Sequence, residues 1–302
     1  MTGSTDASVS PLPRLHTGWR EKIGEYTHLT HGATLLVGDW RKQGPDTHLI
    51  SVRWPSNNTT GGADPRLLAQ TVRQCGLLVA HAAYGVPTGH HTLLHSLNIT
   101  TEPGFRAGEG ASFEVRLTVT RAERRSSTLS MVLHIRSRDR TVAIADTVFA
   151  WVSPAAYRRM RGRRLHVDWA GWPVPDPAAP HLVGRLHHGD VLLADGGSRD
   201  RWRLRNDVSN ILLFDHPVDH VPGLVLLEAA QQAAHALTYP DPVEFTDVSI
   251  EFARYVEFDE PCWLTVEPLT TLLPEWSSLR IAGRQGERDV FRARLKGLRP
   301  AS

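Results

Sequence analysis

The sequence predicts an α+β fold built twice: a long helix followed by several antiparallel strands, then the same plan again. Three observations predict it. Apolar residues recur at helical spacing over Pro65–Tyr84 and again over Gly223–Leu237. Strand-like runs, several of them partly alternating, follow each helix. The two helices overlay at an offset of 158 residues, which sets Leu68 on Leu226, Gln70 on Glu228 and Gln74 on Gln232. A sheet curled round a helix buries most of the helix's faces. Two such units would pair so that their sheets join into one.

The elements follow in order. Residues 1–15 are polar and read as a disordered tail. Ala33–Val37 and His48–Trp54 read as strands, and Asn57–Asp64 (NNTTGGAD) as a loop. Asp64 is the expected N-cap of the first helix, with Pro65 at its first position. Leu68, Val72, Cys75, Val79 and Ala82 form its apolar stripe, and Gly85-Val86-Pro87 ends it. His90-His91 read as loop residues. Ser112–Arg121, Thr128–Arg138 and Thr141–Val152 are the next strands, with Phe113, Val115, Leu117 and Val119 on one face. Residues 153–180 are rich in Arg, Pro and Trp and read as a linker. Val208–Phe214 reads as a strand leading into DHPVDHVPG and the second helix. Its alanines (Ala229, Ala230, Ala233, Ala234, Ala236) suit close packing on a sheet. Val243–Phe252, Cys262–Pro268, Ser278–Ala282 and Val290–Leu295 complete the chain. The domain plan is therefore a 1–15 tail, a 16–152 first unit, a 153–180 linker and a 181–302 second unit.

Composition excludes several classes. The net charge is +2, with 41% hydrophobic and 22% charged residues, as in an ordinary globular protein. Lys occurs only at 22, 42 and 296, so the basic side chains are nearly all Arg. The cluster Arg158, Arg159, Arg161, Arg163 and Arg164 comes with no nucleic-acid motif and reads as a solvated segment, so no nucleic-acid partner is expected. The two cysteines, Cys75 and Cys262, form no disulfide framework or metal pair, and a cytoplasmic location is expected. No apolar run is long enough for a membrane span, and no membrane partner is expected. There is no GxGxxG after a strand, no GxxxxGK[ST] and no GxSxG, and no cofactor is expected.

The chemistry concentrates in Asp215–Gln232 (DHPVDHVPGLVLLEAAQQ). Glu228, Gln231, Gln232 and His235 fall on one helical stripe. A carboxyl set among Leu and Ala loses hydration, and desolvation is the general route by which a carboxyl becomes a proton-transfer group. Hydrogen bonding to a strand backbone is the structural alternative for Glu228. Before the helix stand Asp215, His216, Asp219 and His220. A metal site needs both imidazoles on one face, and Pro217 breaks the helix that would put them there. An acid/base site needs less. Gly223 allows close backbone approach, the free N–H groups of the helix start can polarise a carbonyl oxygen, and a loop His with a Glu one turn inside can move protons. Capping or surface roles for the two His residues are the remaining alternative.

These residues also carry a resemblance. DHPVDHVPGLVLLEAAQQAA, with Leu67–His90 and Phe252–Cys262 (FARYVEFDEPC), resembles the A-factor biosynthesis (AfsA-type) hot-dog family over about His31–Leu295. The spacing of Gly223, Glu228 and Gln232 is also similar to that of β-hydroxyacyl carrier-protein dehydratases. The resemblance implies a tandem hot-dog fold, in which the pair of halves mimics a hot-dog homodimer. It implies transfer of a β-ketoacyl chain from acyl carrier protein to the hydroxyl of dihydroxyacetone phosphate, on the way to a γ-butyrolactone, butenolide or furan signal of streptomycetes. Glu228, His220 and Gly223 are then the expected catalytic group. His216, Asp219, Gln231, Gln232, Arg254, Arg73 and Gln70 are expected around the substrate, with Arg254 or Arg73 on the phosphate. Where the family carries Glu on the first helix, this chain has Gln70. Where the family has Arg after the second helix's Glu, it has Gln231, while Arg73 stands at the matching first-half position. Trp54-Pro55 runs into Ser56-Asn57-Asn58 rather than Arg and His. One acid/base site per chain, on Glu228 and His220, is the resulting expectation. A hot-dog dehydratase or thioesterase and a non-catalytic ligand-binding or regulatory protein are the alternatives. The fold is compatible with a further homodimer.

Overall fold

The structure is a computed structural model and describes residues 17–56, 64–123, 127–241 and 243–299. The tail expected over 1–15 and most of the loop expected over Asn57–Asp64 lie outside the described residues.

Twelve strands form one sheet: β1 (Val37–Lys42), β2 (Thr47–Arg53), β3 (His91–Thr101), β4 (Ser112–Glu123), β5 (Thr128–Ser137), β6 (Arg140–Val152), β7 (Leu193–Ser198), β8 (Arg201–Leu204), β9 (Glu244–Phe252), β10 (Cys262–Leu269), β11 (Trp276–Gln285) and β12 (Arg288–Leu298). Among the described residues, four α-helices accompany them: α1 (Thr17–Thr27), α2 (Pro65–Ala82), α3 (Pro154–Arg161) and α4 (Gly223–Thr238). The strand order is β1-β2-β4-β5-β6-β3-β9-β12-β11-β10-β8-β7, and every pairing is antiparallel. Read outward from the centre, β3-β6-β5-β4-β2-β1 matches β9-β12-β11-β10-β8-β7. The seam is the β3–β9 pair, with Asn98 opposite Ser249. The two halves thus join through one continuous ladder, which leaves neither with an open edge at the seam.

Each half packs its long helix on one sheet face. Strands β5 and β11 bury alternate residues, as a period of two requires when one face meets a helix. Leu117, Leu129, Leu133 and Ile135 are fully buried beside α2, and Leu264 and Ile281 beside α4. Helix α2 begins as expected: Asp64 accepts a hydrogen bond from the Arg66 backbone N–H at 2.9 Å, and Pro65 follows. Helix α4 begins differently. Pro222 is its N-cap, with no side-chain cap, so its first N–H groups have no partner from the capping residue.

The repeat is visible in the bonding. Gln74 of α2 accepts from Leu36 N–H at 2.8 Å and donates to the Thr34 carbonyl at 2.9 Å. Gln232 of α4 accepts from Leu192 N–H at 2.8 Å and donates to the Asp190 carbonyl at 2.7 Å. Each glutamine pins the segment ahead of its own half's sheet to its own helix.

Several local expectations change. Gly32–Thr34 is a short 3-10 turn, and the strand starts only at Val37. His91 opens β3, a strand of threonines and polar residues that shows too little apolar alternation to be read. Val208–Phe214 is a run of turns, because it lies over the site rather than in the sheet. Strands β7 and β8 are short, β7 contains two glycines, and neither was expected. Residues 153–180 contain α3, whose Tyr157 and Arg161 are buried.

Candidate active site

A cavity of about 1060 Å³ lies where the two halves meet. Its wall takes Gln70, Arg73 and Gly76 from α2, Leu212–Leu224 from the turn and the start of α4, Arg254 and Tyr255 beyond β9, and Tyr157 and Arg161 from α3. His216, Asp219, His220, Gly223, Arg254, Arg73 and Gln70 therefore come together as expected from the sequence. Glu228, Gln231 and Gln232 do not line this cavity.

His220 is held by its neighbour. Its Nδ1 lies 2.8 Å from Asp219 Oδ1. A carboxylate there accepts a hydrogen bond from Nδ1–H, which keeps the ring proton on Nδ1 and leaves Nε2 as the acceptor. Tyr157 Oη donates to the same Asp219 oxygen at 2.7 Å. Arg161 Nε donates to Asp219 Oδ2 at 2.7 Å, and the Arg161 guanidinium also spans both oxygens of buried Glu257 at 2.8 Å each. Burial works against the charge on Asp219, but hydrogen bonds from His220 and Tyr157 and the Arg161 cation hold its carboxyl well below the usual range. Burial, and next the bond to Asp219, push the Tyr157 phenol above its ordinary value, so it stays an O–H donor at neutral pH. The Tyr157 ring stacks on His91 at 3.7 Å, and the Tyr255 ring meets His220 edge-on at 4.5 Å. His220, Asp219, Tyr157 and Arg161 thus form one hydrogen-bonded unit.

The start of α4 adds donors. The first intrahelical bond runs from Val225 N–H to the Pro222 carbonyl, so the N–H groups of Gly223 and Leu224 precede the helical ladder. The glycine itself has a packing reason: a Cβ at 223 would stand 3.1 Å from the Phe252 ring and 3.4 Å from Leu94. The close approach that the glycine permits is thus made by Phe252.

Arg73 is the notable cation. It lines the cavity and makes no hydrogen bond or ion pair among the described residues. Burial lowers its pKa to about 10, against the opposing pull of Asp215, so it remains charged at neutral pH. Asp215 is occupied elsewhere. It accepts from Thr30 N–H at 2.6 Å, His31 N–H at 3.1 Å and Thr34 Oγ1 at 3.0 Å, which ties the turn to the first half. His216 faces Asp215 at 3.3 Å, so the two histidines turn to different carboxylates rather than converging. Arg254 is exposed at the rim.

Glu228 occupies another environment. It is 2% exposed and paired with Arg185, whose Nε donates to Oε1 at 2.7 Å. Gln232 Nε2 also donates to Oε1, at 2.5 Å, while Glu228 Oε2 is buried without a partner. Gln70, at the matching position of α2, donates to the Leu212 carbonyl at 2.7 Å and so supports the turn over the cavity. The expected pairing of Glu228 with His220 is absent, because the Glu228 carboxylate is bonded by Arg185 and Gln232 instead. The α2 residue faces the second half's loop, and the α4 residue points away from it. Tyr157, Arg161 and Glu257 were missed from the sequence. The one available signal was the i, i+4 spacing of Tyr157 and Arg161 within the arginine cluster. Gln231 is half-buried, and His235 packs against Gly184.

Comparison with known proteins agrees with this architecture. The family described as the A-factor biosynthesis hotdog domain (AfsA) matches residues 23–153 and 171–296. A 2-oxo-3-(phosphooxy)propyl 3-oxoalkanoate synthase of Streptomyces virginiae is 34% identical over 88% of this chain and 94% of that protein. The protein of the same name from Streptomyces coelicolor is 36% identical over 78% of this chain and 76% of its own length. Among solved structures, a putative oleoyl thioesterase from Lactobacillus plantarum shares the fold at a TM-score of 0.59 and 10% identity, over 85% of this chain and 97% of that one.

Proposed function

The chain belongs to the A-factor biosynthesis hotdog family, and on that premise we propose that it moves a β-ketoacyl chain from acyl carrier protein to the hydroxyl of dihydroxyacetone phosphate. The ester named by its relatives is the product of that transfer. The observation that carries the reading is the juxtaposition of an unpaired cavity cation, Arg73, with the Asp219–His220 pair in the same cavity. A phosphorylated acceptor needs such a cation, and acyl transfer to a hydroxyl needs such a base.

The steps follow from these residues. Arg73 binds the phosphate of the acceptor. His220 Nε2 removes the proton of the acceptor hydroxyl as its oxygen attacks the thioester carbonyl. The Gly223 and Leu224 N–H groups receive the developing oxyanion. Collapse breaks the C–S bond, and the proton on His220 passes to the departing thiolate. Asp219, fixed by Tyr157 and Arg161, stabilises the imidazolium between these transfers. Buried Tyr157 and half-buried Phe252 and Leu94 limit the access of water, which would otherwise hydrolyse the thioester.

The test is incubation of the protein with a β-ketoacyl carrier protein, with and without dihydroxyacetone phosphate, followed by mass spectrometry of carrier and small molecules. Release of free carrier together with a phosphorylated ester supports the reading. Carrier that stays acylated, or that is deacylated equally without acceptor, overturns it.

A further inference from the structure

The arginine-rich segment after β6 has two sides. On α3, Tyr157 and Arg161 turn inward and clamp Asp219. Arg158, Arg159 and Met160 turn outward, and Arg163 follows in the next turn, all exposed. Arg158, Arg159 and Arg163 form no hydrogen bond or ion pair among the described residues. The nearby carboxylates are already engaged: Glu257 accepts from Arg161 and Arg164, and Asp168 accepts from the Ala170 and Gly171 N–H groups. The outward face is therefore a positive surface whose three arginines have no acidic partner among the described residues. It borders the cavity directly, because Met160, Arg161, Arg164 and Leu165 are part of the cavity wall.

We infer that this face of α3 and the following turn is the docking surface for the donor, an acidic acyl carrier protein, oriented so that its pantetheine arm enters the cavity past Met160. The inference rests on the acyl-transfer reading above for the identity of the donor. The charge supports it independently: an exposed, unpaired cationic rim steers an anionic protein and falls in strength with salt. Exposed Met160 supplies an adaptable apolar contact between the cations. The arrangement also links docking to chemistry, since the helix under the donor is the one whose inner side fixes the Asp219–His220 pair.

The test replaces Arg158, Arg159 and Arg163 together by Gln, and separately by Glu. Three quantities are read: the dissociation constant for holo acyl carrier protein by calorimetry, KM for the β-ketoacyl carrier protein, and KM for the matching β-ketoacyl N-acetylcysteamine thioester. The expected result is a rise of about tenfold or more in both carrier-protein constants, larger for Glu than for Gln and smaller at high salt, with the small thioester unchanged. Unchanged carrier-protein constants overturn the inference, as does an equal change for both donors. Binding of short duplex DNA through these arginines, without binding of carrier protein, overturns it in favour of nucleic acid. Arginine-dependent carrier binding by a protein that acylates no acceptor would retain the docking surface and reject the acyl-transfer reading.

Discussion

Gln70 and Glu228 occupy matching positions on α2 and α4, yet Gln70 lines the cavity while Glu228 is turned to Arg185. Gln70 reaches across to the second half's turn, whereas Glu228 bonds Arg185 within its own half. The histidine and the glutamate belong to opposite sides of the molecule.

A stability consequence follows for Glu228→Gln. The exchange leaves Arg185 buried without its partner carboxylate, and breaking such a pair costs about 3 kcal/mol or more. Chemical denaturation should show a lower midpoint with an unchanged slope. A midpoint equal to that of the parent would contradict the assignment of Glu228 to a buried ion pair.

Asp219→Asn tests the pair beside the cavity. The amide retains the size of the side chain but offers its Nδ2 hydrogens as readily as its oxygen, so His220 no longer holds its proton on Nδ1. A loss of about a thousandfold in kcat is expected, with KM little changed. Equal losses in kcat and in thermal stability would instead point to a disordered turn.

Arg73→Gln removes the Arg73 cation from the cavity wall while keeping a polar side chain. KM for dihydroxyacetone phosphate should rise about 10- to 100-fold, the range of a lost charge-assisted hydrogen bond, while KM for the acyl donor stays the same. Initial rates over both substrate concentrations separate the two constants. A rise confined to the acyl donor would assign Arg73 to the other substrate.

Acid sensitivity has a specific source in His28. His81 Nδ1 donates to the Val86 carbonyl, so its Nε2 accepts from His28 Nε2 at 2.8 Å. Burial, then the charges of His81, Arg73, His216 and His91, bring His28 down from 6.5 to about 4. Between those values the unfolded chain binds a proton that the folded chain does not, so stability falls as pH drops through that window. Asp215 and Asp219 are depressed, so their contribution is complete above about 4 and is lost only at lower pH. His28→Asn should flatten the decline in unfolding free energy between pH 6.5 and 4.5, measured by urea titration. An unaltered decline would assign it to other groups.

Much of the architecture was legible because it rests on periodicity. Both long helices, the Asp64 cap, most strands and the joined sheets follow from apolar spacing and from the repeat at 158 residues. Strand β3 was hidden, because its face beside β9 is polar, with Asn98 and Thr100 at the seam. The residues of the cavity were largely legible: Asp219, His220 and Gly223 stand in one dense motif, Gln70 follows from the repeat, and Arg73 from the family resemblance. Two things were not. Which helix faces the His220 turn is set by tertiary packing, and sequence spacing on α4 alone put Glu228 beside His220. Tyr157, Arg161 and Glu257 come from segments distant in sequence, and only the fold brings them to Asp219.

The most direct test compares single-turnover acyl transfer by His220→Asn and Glu228→Gln at a temperature where both are folded. With His220 as the proposed base, His220→Asn should lose about a hundredfold or more in rate. Glu228→Gln should stay within about threefold of the parent, because its charge lies outside the cavity. The reverse order, with Glu228→Gln inactive and His220→Asn active, would contradict the account.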